Sequence, residues 1–306
     1  MLKFLLNKAT RIFDSIKKEG WKGYLLRLYL LGQYRRLARL ILSGFRVKNK
    51  KATVEGIPLT LPDRSAGIAE ELSIYGVHEP LATLIYKCLL HPGDIIFDVG
   101  TNIGYYVAVA SGWLSGQCVV HGFEADPELS QIAEKNCKNF QAKCCVKHLA
   151  ISDEVGSVKF FVSSVSNWGS LRKINVLNIV DETTVDCKTI DVFCGETGIY
   201  PTVIRMDIEG GEILALRGAA KSLERVRLLF IELHCAFLDN NELGEIFDIL
   251  ASAGFARAIW FDRYYDWPWS LPEGARSSLR QGRIEELKDD SLNRKFKVIT
   301  AFVLRQ

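Results

Sequence analysis

From residue 80 to the C-terminus, short apolar runs alternate with segments in which apolar residues recur every three to four positions. The runs are the expectation for strands buried on both faces, and the periodic segments for helices with one face on a core. This pattern predicts helices over residues 80–90, 102–113, 127–139, 212–223 and 242–253. Strands are predicted over 95–99, 118–123, 144–150, 202–206, 227–233, 256–261 and 297–304. A strand-rich stretch over 158–192 is punctuated by Asn167-Trp168-Gly169. Such a βαβα order implies an α/β fold with a doubly wound, mostly parallel, Rossmann-like sheet that takes its ligands at the carboxyl ends of the strands. Upstream, residues 52–61 read as two short strands around a Glu55-Gly56 turn. Earlier still, two helical patterns, Leu2 to Ile16 and Tyr24 to Leu42, are separated by Gly20 and Gly23.

Charge divides the chain where the pattern does. Residues 1–50 hold 13 Lys and Arg against Asp14 and Glu19, a net +11, whereas the remaining residues carry a net −8, so the overall +3 hides a basic arm on an acidic body. The domain is therefore taken to cover residues 51–306, with residues 1–50 as a basic amphipathic helical arm. Three readings of the arm stand side by side: a helical cap on the domain, a peripheral contact of residues 1–45 with an anionic membrane, or a nucleic-acid arm. The last is the least favoured, because the aromatic-interleaved pattern of an RNA-binding module is missing. A composition of 48% hydrophobic and 25% charged residues excludes wholesale disorder. No run reaches the roughly 18 apolar residues of a spanning helix, and the expected location is cytoplasmic, at most peripheral at the inner face of a membrane. None of the eight cysteines forms a C-x-x-C pair, which favours buried reduced thiols over a zinc site or a disulfide framework.

The first core strand ends in Asp98-Val99-Gly100-Thr101-Asn102-Ile103-Gly104. A dinucleotide fold wants G-x-G-x-x-G, and here Asn102 occupies the second glycine position, so a pyrophosphate is disfavoured. A loop of this kind at a helix N-terminus suits a smaller anion such as a carboxylate. Asp98 can meet an ammonium or align the loop, and Glu124, ending the second strand, is placed to take both ribose hydroxyls. Carboxylate, ammonium and ribose together describe S-adenosylmethionine. The alternative is that Gly100 makes a tight turn and Glu124 caps the helix at Pro127.

These residues also carry a family resemblance. Val77-His78-Glu79-Pro80, Phe97 to Tyr106, Gly122-Phe123-Glu124-Ala125-Asp126-Pro127, Ala150-Ile151-Ser152-Asp153, Arg205 to Glu212 and Phe230-Ile231-Glu232-Leu233-His234 resemble, in order, the motifs of FkbM-type methyltransferases. The similarity spans about residues 50–260 and departs at Thr101, usually Ala, and Gly211, often Ala or His. The resemblance implies a class I S-adenosylmethionine-dependent enzyme, an O-methyltransferase in most members. It adds Glu79, Ile151 and Asp153 to a cofactor-binding set of Asp98, Gly100, Asn102, Gly104 and Glu124.

Methyl transfer to an alcohol needs alignment, exclusion of water and a base for the hydroxyl proton. Asp207 and Glu209 follow the strand at Ile204-Arg205-Met206, beside Gly210 and Gly211, and His234 ends the next strand. These three are the candidate catalytic residues; the competing reading makes Asp207 a helix cap and Glu209 a charge at the helix N-terminus. Mixed carboxylate–imidazole metal ligation by Asp207, Glu209, Glu232 and His234 is chemically reasonable but lacks a ligand-spacing signature, so no metal is assigned. An insertion over residues 261–295 places Phe261, Tyr264, Tyr265, Trp267 and Trp269, with Trp260 just before them, between the last two strands. They suit stacking on a sugar or lipid-linked acceptor, or pinning the insertion to the body. The expected acceptor is a hydroxyl of a glycan, a glycolipid or a secondary metabolite. A membrane-associated nucleoside-binding module without catalysis and a nucleic-acid methyltransferase using the basic arm are the alternatives.

Overall fold

The computed structural model describes residues 51–63, 67–165, 168–174, 179–263, 266, 278–293 and 297–305. The expected basic arm, and Tyr264, Tyr265, Trp267 and Trp269 of the aromatic cluster, lie outside the described residues. Strands β1 (Lys51–Val54) and β2 (Ile57–Thr60) form a hairpin whose two turn residues, Glu55 and Gly56, have φ of 50° and 80°, as a type I′ turn requires. In chain order there follow α1 (Ile68–Tyr75), α2 (Pro80–Leu89), β3 (Ile95–Val99), α3 (Tyr105–Trp113), β4 (Val119–Glu124), α4 (Pro127–Cys137), β5 (Lys143–His148), β6 (Ala150–Ile151), β7 (Gly156–Ser163) and β8 (Ile179–Lys188). The second half contains α5 (Ile190–Thr197), β9 (Val203–Met206), α6 (Glu212–Arg217), a 3₁₀ turn (Ser222–Arg225), β10 (Leu228–Leu233), α7 (Asn240–Ser252), β11 (Phe255–Asp262), β12 (Arg280–Arg283), α8 (Ile284–Leu292) and β13 (Ile299–Arg305).

Eight strands form the central sheet in the order β12-β11-β13-β10-β9-β3-β4-β5. Pairing is parallel from β10 through β9, β3 and β4 to β5, and antiparallel among β10, β13, β11 and β12. The order reverses between β3 and β9, which opens a crevice at their carboxyl ends. Strand β10, Leu-Leu-Phe-Ile-Glu-Leu, is buried at every position because both faces of the sheet are covered. One face carries a layer that includes Ile213, Leu216, Leu243 and Phe247, the other a layer with Leu59, Tyr86, Tyr106 and Val107.

Differences from the sequence pattern have local causes. The helix expected at residue 102 starts at Tyr105, because Asn102 (φ 53°) and Gly104 (φ 84°) hold the preceding loop in the left-handed region. The strand expected over 144–150 divides: β5 stays in the central sheet, while β6 leaves it and pairs with β8 in a separate sheet ordered β6-β8-β7. The end of the strand-rich stretch is helical, since Thr189 accepts from Val192 N at 3.0 Å and so caps α5. Helix α1 was not anticipated, and the insertion contributes β12 and α8. The expectation of reduced thiols is corrected at two positions. Cys137 at the end of α4 and Cys144 in β5 are disulfide-bonded, their Cα atoms 5.9 Å apart where the chain reverses; the other six are free. No helix among the described residues is long and apolar enough to cross a membrane.

Helix α7 begins with a reciprocal capping box: Asp239 accepts from Asn241 N and Glu242 N, both at 2.8 Å, and Glu242 Oε2 accepts from Asp239 N at 2.9 Å. Asp239→Ala is expected to lower unfolding free energy by about 1 kcal/mol. A urea titration read by circular dichroism checks it.

Candidate active site

A cleft opens at the carboxyl edge of β3, β4 and β9. Gly100, Asn102, Glu124, Ile151, Asp207 and Glu209 all line it, against apolar walls from Val99, Phe123, Leu129, Leu149, Phe160, Leu171 and Ile208. Phe160 comes from β7, so the second sheet forms part of the wall. Among the sequence candidates, Glu79, Asp98, Gly104, Asp153 and His234 do not line the cleft. Asp153 instead faces Arg217 at 3.8 Å, with its side chain one-third exposed.

The β3–α3 loop is cross-braced. Gly100 N and Thr101 N donate to Phe123 O at 2.9 and 3.1 Å, Asn102 N to Glu124 Oε2 at 2.7 Å, Ile103 N to Asn102 Oδ1 at 2.9 Å and Gly104 N to Thr101 O at 2.9 Å. Each of these five loop N–H groups has a partner within the protein. Gly100 has a stricter role. It adopts φ 77°, and a Cβ there would lie 2.1 Å from Asp207 O, so the β3–α3 loop and the loop after β9 touch backbone to backbone.

Glu124 ends β4 with its second oxygen accepting from Asp126 N at 2.8 Å. The helix cap is Asp126, which accepts from Glu128 N and Leu129 N at 2.9 and 3.1 Å, so Glu124 does not cap α4. Burial pushes the Glu124 carboxyl up to about 7, against the pull of its two backbone donors.

Arg205 was not among the sequence candidates. It lies in Val203-Ile204-Arg205-Met206, a strand buried at every position, and a cation in such a run is the signal for buried anionic partners. Its Nη1 donates to Gly100 O at 2.7 Å and lies 3.4 Å from Asp98 Oδ1, while Nη2 donates to Asp207 Oδ2 at 2.6 Å. The guanidinium sits 4.7 Å from the centre of the Tyr106 ring. Asp98 also accepts from Thr101 Oγ1 at 2.7 Å; burial raises its pKa, opposed by Arg205 and the Thr101 hydrogen bond. These contacts tie Asp98 to the loop through Thr101 and to β9 through Arg205.

Behind Asp207 lies a second ionic layer. His234 has Nδ1 2.8 Å from Glu212 Oε1 and Nε2 3.1 Å from Glu209 Oε2, with Glu232 Oε2 at 3.7 Å. Burial alone would lower its pKa, but Glu209 and Glu212 hold it well above the usual imidazole value. A ring so protonated has no lone pair with which to take a proton, which argues against His234 as the base. Arg263 bridges Glu232 Oε1 at 2.6 Å and Glu79 Oε1 at 2.7 Å. Glu79 (φ 44°) further accepts from Tyr106 Oη at 2.5 Å and faces His78 Nε2 at 2.9 Å. It is a buried junction of α2, α3 and the segment after β11. Ligand atoms of Asp207, Glu232 and His234 lie within 4.8 Å of one another, but Arg205 and Arg263 already pair with the two acids.

Residues 98–256, just over half of the chain, match the methyltransferase FkbM domain. The chain belongs to the FkbM methyltransferase family. The hexuronic acid methyltransferase AglP of Haloferax volcanii is 26% identical over 145 residues, 46% of this chain and 56% of AglP, so the chain spans little more than half of that relative. The 2-O-methyltransferase NoeI of Sinorhizobium fredii is 25% identical over 230 residues, 67% of this chain and 92% of NoeI. A crystal structure of an S-adenosylmethionine-dependent O-methyltransferase from Thermotoga maritima overlays on 75% of this chain and 66% of its own at 14% identity, with a TM-score of 0.39. The protein is thus a methyltransferase of this family, with a mostly parallel α/β sheet.

Because Arg205 is buried between two acids, Arg205→Met is expected to cost about 3–5 kcal/mol of stability by stranding Asp98. Denaturant unfolding of the two proteins at the same pH measures this.

Proposed function

We propose that this FkbM methyltransferase transfers the methyl group of S-adenosylmethionine to a sugar hydroxyl of a glycan or glycolipid. One observation carries the reading: Glu124 and the acid pair Asp207 and Glu209 line the same cleft. A nucleoside and an acceptor hydroxyl can therefore meet there. The names of AglP and NoeI, a hexuronic acid methyltransferase and a 2-O-methyltransferase, support a sugar as the acceptor.

The residues fit the cofactor at its nucleoside end. Each Glu124 oxygen accepts one backbone N–H, and a carboxylate oxygen has capacity for a second donor, so both can also receive ribose hydroxyls. Ile151, Leu129 and Phe123 offer an apolar slot for a base. Gly100, Asn102 and Asp98 act through the shape of the loop, and Gly104 by starting α3. Bound there, S-adenosylmethionine supplies a methyl group activated on a sulfonium. The chain's own work is to hold an acceptor oxygen in line with that methyl group, keep water out and take up a proton. Asp207 and Glu209 serve the last task and orient the hydroxyl, a division open to two acids in unlike surroundings.

Calorimetry should show S-adenosylmethionine binding to the wild type and at least about tenfold weaker binding to Glu124→Gln, the loss of roughly one charge-assisted hydrogen bond. The carboxylate is the form that accepts ribose hydroxyls, so affinity should fall as pH drops through about 7 and lose that dependence in the variant. Absence of binding to the wild type would sink the proposal, as would an acceptor screen with labelled cofactor in which no glycan or glycolipid fraction is methylated.

A further inference from the structure

The loop between β9 and α6 brings two acids to the cleft and equips them differently. Asp207 is tied to Arg205. Glu209 pairs with no arginine among the described residues; its Oε2 lies 3.1 Å from His234 Nε2 and its Oε1 has no partner there. Its backbone is in the left-handed region at φ 51°, where a residue with a Cβ persists only if its surroundings hold it. Two contacts do so: Ser170 Oγ donates to Glu209 O at 2.8 Å, and Gly210 N donates to Glu212 Oε1 at 3.1 Å.

That same Glu212 oxygen lies 2.8 Å from His234 Nδ1, so one buried carboxylate grips both the loop backbone and the imidazole. The ring is parallel to that of Phe237, with 5.6 Å between centroids and 2° between planes. Charged groups face it from three elements: Glu209 from the loop, Glu212 from α6 and Glu232 from β10, with Asp207 close by. A neutral imidazole carries one N–H, and either Glu209 or Glu212 would then face a lone pair. The doubly protonated ring donates to both.

We propose that Glu209 receives the proton of the acceptor hydroxyl, and that His234, anchored by Glu212, is the positioning residue that holds Glu209 by one oxygen and leaves the other to the cleft. The inference rests on the methyl-transfer reading above. As the acceptor oxygen bonds to the methyl carbon, the carbon–sulfur bond breaks and its electron pair leaves with sulfur. The hydroxyl proton passes to Glu209 Oε1 and from there to water. Burial makes Glu209 more basic than an ordinary glutamate, and His234 opposes that shift.

Two measurements test this on the full chain. In the first, methyl transfer to methyl glucuronide, or to whichever glycan fraction the screen identifies, is followed against pH. Glu209→Gln should lose about 10²-fold in kcat with the KM for S-adenosylmethionine unchanged. His234→Gln keeps a hydrogen bond to Glu209 but removes a positive charge, so the acid limb of kcat should move to higher pH. His234→Ala should lose more kcat than His234→Gln. In the second, the chain's five histidines are resolved by carbon–proton correlation spectra. His234 should stay protonated through neutral pH and titrate lower in Glu212→Gln. An unmoved acid limb in His234→Gln, or a wild-type His234 titrating near 6.5, overturns the assignment. Selective broadening of the His234 signal by substoichiometric Mn²⁺ also overturns it, in favour of a cation site. If the wild type methylates nothing, the functional reading fails, and the titration still decides whether His234 is held as a cation.

Discussion

The buried guanidinium of Arg205 is the interaction on which the cleft depends. It rises from β9, bonds to the carbonyl of Gly100 across the β9–β3 boundary and contacts the acids at the ends of both strands. A parallel sheet reverses its order at that boundary, and its ladder ends with the bond from Asp207 N to Val99 O at 3.1 Å, beyond which each strand continues as a loop. One planar cation with several donors supplies a further cross-link. Its charge also opposes the rise that burial, at 1% exposure, imposes on the Asp98 carboxyl.

The polar layer around it is a connected chain of acidic and basic side chains rather than a set of isolated pairs, in which burial and Asp207 push the Glu232 carboxyl up to about 8. From Glu71 through His78, Glu79, Arg263 and Glu232 to His234, carboxylates and cations alternate in contact across α1, α2, β10 and the segment after β11. Each member is costly to bury alone and acceptable only with its neighbours. The acids at the cleft thus inherit their properties in part from Glu79, Arg263, Glu232 and His234, none of which reaches its wall. Glu79 illustrates this: its carboxylate is held well below the usual glutamate range, since Arg263 and His78 outweigh the effect of its own burial.

How much of this was legible in the sequence follows from the range of each interaction. Periodicity reports which face of a segment is buried, and it identified β3, β4, β9 and β10 with their helices to within a few residues, except that the helix expected over 212–223 stops at Arg217 before Gly218 and a 3₁₀ turn follows at Ser222–Arg225. Glycine and asparagine before Tyr105 placed the loop but not its length, because left-handed residues delay a helix without any change in apolar pattern. Long-range partners left weaker traces. Arg205 stood out only as a charge inside an apolar strand, and Glu212 read as an ordinary acid in the first turn of a helix. The bond from Ser170 to Glu209, 39 positions away, had no local signature at all. Motif order drew Glu79 and Asp153 into the expected cofactor set, yet neither lines the cleft, since a motif marks residues that a fold keeps near one another without saying which way they face.

The short strand β6 leaves the central sheet after only a one-residue break from β5 and hands the chain to the β7–β8 hairpin. Phe160 of that hairpin, with Gly169 and Leu171 beyond it, closes one side of the cleft, while the acids belong to the central sheet. Wall and chemistry therefore have separate foundations. Lengthening the connection between β7 and β8 carries only the slowly growing entropy of a longer loop. A change of length there would alter the girth of the molecule the cleft admits and leave the polar chain beneath as it is.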